Sequence, residues 1–253
     1  MKLFRQTFGE GDPLIVIHGL FGASGNWHTL AKKKFGLYFK TYTIDLRNHG
    51  KSPHSLDGTY ADMAEDVLEL MEDEGLEHAH ILGHSMGGKL AMHLALEHPS
   101  KVDKLIVADI APRAYPRSHD TIFKAFKSVD LPQMTSREEV DEVMKLTIPN
   151  QGIRQFLLKN LVRRGNKFKW AVNLPSIEHN YEELGSVIEA WEVFEGDALF
   201  IRGEKSNYVL DSDFLDIRAL FPFAVMETIP NATHWLHAET PDAFAEICLK
   251  FLR

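Results

Sequence analysis

The sequence predicts an α/β fold: a mostly parallel central sheet with helices on both faces and one helical insertion. Three observations predict it. Short β-rich runs alternate with longer amphipathic stretches, the rhythm of parallel strands joined by crossover helices. The runs are almost continuously apolar rather than alternating, which fits strands buried on both sides. One long stretch, from Pro112 to about Ala190, breaks the rhythm and offers helical segments with no convincing core strand.

The strands expected in chain order are Leu14 to Ile17, Thr41 to Ile44, Ala79 to Leu82, Leu105 to Ala108, Leu199 to Ile201 and Val225 to Ile229. Helical patterns are clearest at Tyr60 to Glu74, Met86 to Glu97 and Pro241 to Leu252. Thr240 stands where the last of these needs a cap, and Pro241 suits a first helical position. The insertion carries a polar turn, Arg163-Arg164-Gly165-Asn166-Lys167. Residues 1–111 and 191–253 are therefore expected to form a core domain, with residues 112–190 as a cap over the sheet.

Composition excludes several classes of function. The 253 residues are 44% hydrophobic and 25% charged, ordinary for a chain that folds around a core. With 28 basic against 36 acidic residues the formal net charge is −8, and no Lys/Arg block stands ready to meet a phosphate backbone. No nucleic-acid partner is expected. No apolar run approaches the roughly 20 residues of a membrane span, and Met1 to Gln6 lacks the apolar core of a signal peptide. The expectation is a cytoplasmic protein without membrane insertion. Oligomeric state has no signature in the sequence. Cys248 is the one cysteine, so no intrachain disulfide and no Cys-rich metal site can form. It falls in the apolar pattern of Phe244, Ile247 and Phe251 and reads as a small buried hydrophobe.

The chemistry centres on His80-Ile81-Leu82-Gly83-His84-Ser85-Met86-Gly87-Gly88, a Gly-x-Ser-x-Gly sequence directly after an apolar strand and directly before a helical pattern. The pentapeptide alone is a weak signal; the strand-turn-helix setting is what gives it meaning. A serine on so tight a turn has strained dihedrals, and its neighbours two places away press on adjacent backbone, which favours glycine at 83 and 87. The turn also puts Ser85 at the start of a helix, where N–H groups and the dipole favour developing negative charge. The plainer reading is a Gly-rich cap in which Ser85 is only an N-cap.

Five features in order make the chain resemble the α/β-hydrolase family over nearly its whole length. They are His18-Gly19-Leu20-Phe21-Gly22, Asp45-Leu46-Arg47-Asn48-His49-Gly50-Lys51-Ser52, the serine turn, Leu199-Phe200-Ile201-Arg202-Gly203, and His234 before Glu239-Thr240-Pro241. Within that family it is most similar to the small bacterial esterases of the YbfF type, whose relatives include the mitochondrial abhydrolase-11 proteins. The resemblance implies the α/β-hydrolase fold and a serine hydrolase, an esterase acting on carboxylic esters of small to medium acyl groups, with thioester or acyl-CoA bonds as the alternative.

A serine nucleophile needs a neighbouring base, usually a histidine oriented by a carboxylate, and in this fold the chain order is Ser, acid, His. Of thirteen histidines, His119, His179, His234 and His237 come late enough. His234 is preferred because it follows the last strand and a polar loop, immediately before the final helix. His237 reads as a packing or solvated residue. Most relatives place an aspartate three residues past Gly203, where this chain has Ser206. The resemblance to the YbfF-like group then implies Asp109 as the acid, with Ser206 as a second hydrogen-bonding partner near His234. Asp211 and Asp213 are rival acids that also read as N-cap residues. Oxyanion donors are expected from the N–H of Met86 and of Leu20, with Phe21 as the alternative to Leu20. His18 braces that loop; as a metal ligand it lacks a partner at metal-binding spacing, and neither a metal nor a cofactor is expected. Asp45, Arg47, His49 and Ser52 read as structural. An apolar pocket for a small-molecule ester or thioester is expected from Leu20, Phe21, Trp235 and residues such as Phe123, Phe126, Phe156, Trp170 and Trp191, each of which could equally be core.

Overall fold

A computed structural model describes residues 1–165 and 167–253. Among the described residues, seven strands form one sheet in the order β1-β3-β2-β4-β5-β8-β9. These are β1 (Arg5–Phe8), β2 (Pro13–Ile17), β3 (Lys40–Ile44), β4 (Ala79–His84), β5 (Val102–Ala108), β8 (Asp197–Gly203) and β9 (Val225–Ile229). All neighbours pair in parallel except β1, which runs antiparallel to β3.

The inner strands β2, β5 and β8 are apolar on both faces because each face meets helices, whereas β3 buries Thr41 and Thr43 on its second face. Ile15, Ile17, Tyr42, Ile44, Ile81, Leu105 and Val107 point to one side, where α2 (Tyr60–Asp73) and α3 (Met86–Glu97) contribute Met63, Val67, Leu90 and Leu94. Leu14, Val16, Leu82, Ile106 and Ala108 point to the other, against Leu30 of α1 (His28–Lys33) and Phe244 and Cys248 of α11 (Pro241–Leu252). Cys248 is fully buried, and burial pushes its thiol well above the usual range. Thr59 caps α2 by accepting from the Asp62 amide while the Asp62 carboxylate accepts from that of Thr59, both at 3.1 Å.

Between β5 and β8 the chain leaves the sheet. This excursion contains α4 (Asp120–Ser128), α5 (Arg137–Lys145), α6 (Gln151–Leu158), the hairpin β6 (Leu161–Arg164) and β7 (Lys167–Trp170), α7 (Leu174–His179) and α8 (Tyr181–Gly185). It has an apolar cluster of its own, with Phe123, Phe126, Val140, Met144, Leu157 and Ile177, into which Phe21 of the core side inserts. After β8 come α9 (Asp213–Leu220) and the short α10 (Leu236–Glu239).

Three details differ from the sequence expectation. β1 and the β6–β7 hairpin were not expected: both are short and half exposed, so polar residues interrupt any apolar run. Arg163, Arg164 and Lys167 of the expected turn lie in the hairpin strands, and Asn166 lies outside the described residues. Thr240 makes no side-chain cap on α11; its hydroxyl instead donates to the Leu236 carbonyl at 2.8 Å. No helix among the described residues is long and apolar enough to cross a membrane.

Candidate active site

The tips of β4, β5 and β8 are laced together by backbone. Ser85 follows β4 with φ 54° and ψ −121°, and its amide donates to the Ala108 carbonyl at 3.0 Å. Asp109 follows β5 with φ 52°, and its amide donates to the Ile201 carbonyl at 2.7 Å. Left-handed backbone at a non-glycine residue costs about 1–3 kcal/mol and persists only where surroundings enforce it. Here they do: a Cβ on Gly83 would stand 2.0 Å from the Gly87 carbonyl oxygen, and one on Gly87 2.5 Å from that of His18.

On this scaffold the predicted residues converge. The Ser85 hydroxyl donates to His234 Nε2 at 3.0 Å, and His234 Nδ1–H donates to Asp109 Oδ2 at 2.7 Å. Asp109 is fully buried; its Oδ1 accepts from the Gly203 amide at 3.0 Å and its Oδ2 from the Ser206 hydroxyl. Asp211 and Asp213 are elsewhere, paired with Arg202 and Arg113. Two partners of His234 left no trace in the sequence. Tyr208 stacks on its ring with centroids 3.7 Å apart and planes 15° off parallel. His84 Nε2–H donates to its backbone carbonyl at 2.8 Å.

The loop after β2 is held by two neutral imidazoles. His18 donates from Nδ1 to the Gly19 carbonyl at 2.8 Å and accepts at Nε2 from the Leu46 amide at 3.1 Å. His49 donates from Nδ1 to the Arg47 carbonyl at 3.0 Å and accepts at Nε2 from the Phe21 amide at 3.3 Å. Burial pushes His18 down and His49 down to about 3, so both keep one donor and one acceptor face. The Phe21 amide is thus engaged, whereas among the described residues the amides of Leu20 and Met86 meet no protein acceptor. The remaining polar cluster is structural as expected: Arg47 pairs with Asp66 at 2.6 Å and Asp45 accepts from the Ser24 and Lys51 amides.

Two lobes meet at Ser85. A lobe of about 290 Å³ is lined by Leu20, Met86, Lys89, Ile110, Tyr115 and Leu184 among others. A second of about 210 Å³ is lined by Phe21, Trp27, Phe156, His234 and Trp235. Leu20, Ser85, His119 and Tyr208 border both. Of the residues expected to line a pocket, Phe123 and Phe126 belong to the apolar cluster of the excursion, and Trp170 packs on Phe126. Trp191 is fully exposed on the return to the sheet. His237 is buried and stacked on Trp27, which fits a packing role.

A seven-stranded sheet with a serine turn after β4 and a histidine after β9 defines a class of protein. The model of the alpha/beta hydrolase fold family matches residues 12–241, and the chain belongs to that family. Within it the chain is of the YbfF type and is related to the ABHD11 proteins. It is 35% identical over 250 residues to esterase YbfF of Escherichia coli (strain K12), covering 98% of this chain and 95% of that protein. It is 40% identical to the sn-1-specific diacylglycerol lipase ABHD11 of Mus musculus, covering 96% and 83%. Among solved structures, one titled "Marine microorganism esterase" superposes with a TM-score of 0.96 at 43% identity, covering 99% of each chain.

Proposed function

We propose that the protein is a carboxylesterase-like serine hydrolase that cleaves carboxylic esters of small to medium acyl groups through an acyl-enzyme. The observation that carries this reading is the unbroken hydrogen-bonded chain from Ser85 through His234 to Asp109. His234 Nε2 takes the Ser85 proton as Oγ bonds to the ester carbonyl carbon. The resulting oxyanion is met by the N–H groups of Leu20 and Met86. His234 then returns its proton to the departing alkoxide, and the alcohol leaves. A water molecule, deprotonated by His234, attacks the acyl-enzyme; the carbon–Oγ bond breaks, the acid departs and Ser85 regains its proton. Asp109 holds the imidazolium in place, with Ser206 fixing the carboxylate. Thioesters fit the same steps, with a thiol as leaving group. The names of the relatives, esterase YbfF and diacylglycerol lipase ABHD11, support ester chemistry. Residues 112–190 act in this reading as the cap that closes the pocket.

Ser85→Ala should lower kcat on p-nitrophenyl esters by at least about a thousandfold, leaving only catalysis by binding and the oxyanion donors. The intact protein should label with a fluorophosphonate and the variant should not. Retained turnover in Ser85→Ala would overturn the mechanism; an unlabelled, inert wild type would mark a ligand-binding protein built on the same fold.

A further inference from the structure

The two lobes beside Ser85 differ in charge. The larger one is lined by Lys89 and Arg113 and, among the described residues, by no carboxylate. That contrasts with a chain whose formal net charge is −8. Arg113 is matched by Asp213 at 3.2 Å. Lys89 has no carboxylate in contact: it is 1% exposed, and among the described residues none lies within 4 Å of its Nζ, Glu183 acting only from further away. Its ammonium donates to two backbone carbonyls, Arg113 at 2.9 Å and Ser186, and stands 5.2 Å from the centre of the Tyr115 ring, so one of its three N–H groups has no hydrogen-bond acceptor among the described residues. Burial, with Arg113 nearby and against the weaker pull of Glu183, pushes its pKa down to about 8, so the group still carries its charge at neutral pH. A buried ammonium with no counter-ion in contact is costly.

The lobes also differ in which catalytic group they face. His234 lines the smaller, aromatic lobe, and the leaving group must lie beside the histidine that protonates it. The larger lobe, which Met86 borders, is left for the acyl chain. We propose that this lobe takes acyl groups bearing a carboxylate at the far end, so that preferred substrates are half-esters or half-thioesters of short dicarboxylic acids, with Lys89 as the counter-ion. The inference rests on the esterase reading above. Lys89 is four residues after Ser85 on α3, an axial rise of about 6 Å, which suits a spacer of a few methylene groups.

The test compares kcat/KM for ethyl hydrogen adipate and ethyl hexanoate, which share an alcohol and a chain length. Wild type should favour the half-ester at least tenfold, and Lys89→Met should lower that ratio by tenfold or more, the usual worth of a charge-assisted hydrogen bond. A wild type that favours the uncharged ester overturns the proposal, and so does a Lys89→Met variant that loses both substrates equally, which would make Lys89 only a brace between the chain at 113 and 186. Should that variant fail to fold, inhibition of wild type by adipate against hexanoate decides, with tighter binding of adipate expected and equal binding fatal. Turnover of ethyl hexanoate that vanishes in Ser85→Ala upholds the esterase reading even where the carboxylate preference fails; no turnover of either ester removes both.

Discussion

The strand tips and the excursion over them position their side chains by opposite means. At the tips of β4 and β5, two non-glycine residues are held in left-handed backbone, each tied by its amide to the next strand. In the excursion, position comes from an apolar cluster and a few tethers: Asn160 donates to the Phe21 carbonyl at 2.8 Å, and Asn48 to the Ser176 hydroxyl at 2.9 Å. The backbone route fixes Ser85 and Asp109 closely, because neither can turn without breaking sheet hydrogen bonds. The apolar route lets pocket walls change while the reacting atoms stay put. In the proposed function, this concentrates chemistry in the sheet and selectivity in the walls.

This contrast is most exposed to failure at Asp109. Replacing it with Asn keeps the shape but offers the imidazole a mismatched partner, and kcat should fall by about 10⁴-fold with KM little changed. Steady-state kinetics on p-nitrophenyl acetate would show it. A fall of less than tenfold would break the assignment. A smaller effect is expected at Ser206, whose hydroxyl supports the carboxylate without touching the base. Ser206→Ala should cost about tenfold in kcat, the loss of one hydrogen bond to a charged group. An unchanged kcat would show that the Gly203 amide suffices to hold Asp109.

The same contrast explains what could be read in the sequence. Ser85 was legible because steric demands on its turn are local and recorded in glycines within two residues. The inner strands were legible because burial on both faces leaves nearly continuous apolar runs. That His234 would stand beside Ser85 could be expected from chain order, and that Asp109 would stand beside His234 from the resemblance to the YbfF-like group, with Ser206 where most relatives carry an acid. Tyr208 stacked on His234, His49 on the Phe21 amide and Lys89 across from Ser186 were not legible. Each meets its partner across more than 25 residues of chain, so no spacing marks it. Lys89 in particular reads as one more polar residue on a helix until the fold closes around it. Trp191 misled in the other direction: a large aromatic next to a predicted cap suggests a pocket wall, yet it stands in solvent.

Acid should distinguish the two regions by stability. His18, His49, His84 and His237 are fully buried on the strand-tip side and held neutral there by burial, His49 and His237 down to about 3; the excursion contributes His119, lowered to about 4. In the unfolded chain these groups titrate near 6.5. Between that value and the folded ones, the unfolded state binds protons that the fold refuses, so their contribution is fully present above about pH 6.5 and is lost as pH falls toward 3. Each adds a slope of at most about 1.4 kcal/mol per pH unit. His237 is the cleanest probe, because it stacks on Trp27 and among the described residues its Nδ1 has no hydrogen-bond partner. His237→Phe should leave Tm at pH 7 unchanged or raised and should flatten its fall between pH 6 and 4 by one proton's worth. Thermal melts across that range measure it. An undiminished slope in the variant would mean that His237 is protonated in the fold and that the strand-tip side is wetter than its packing indicates.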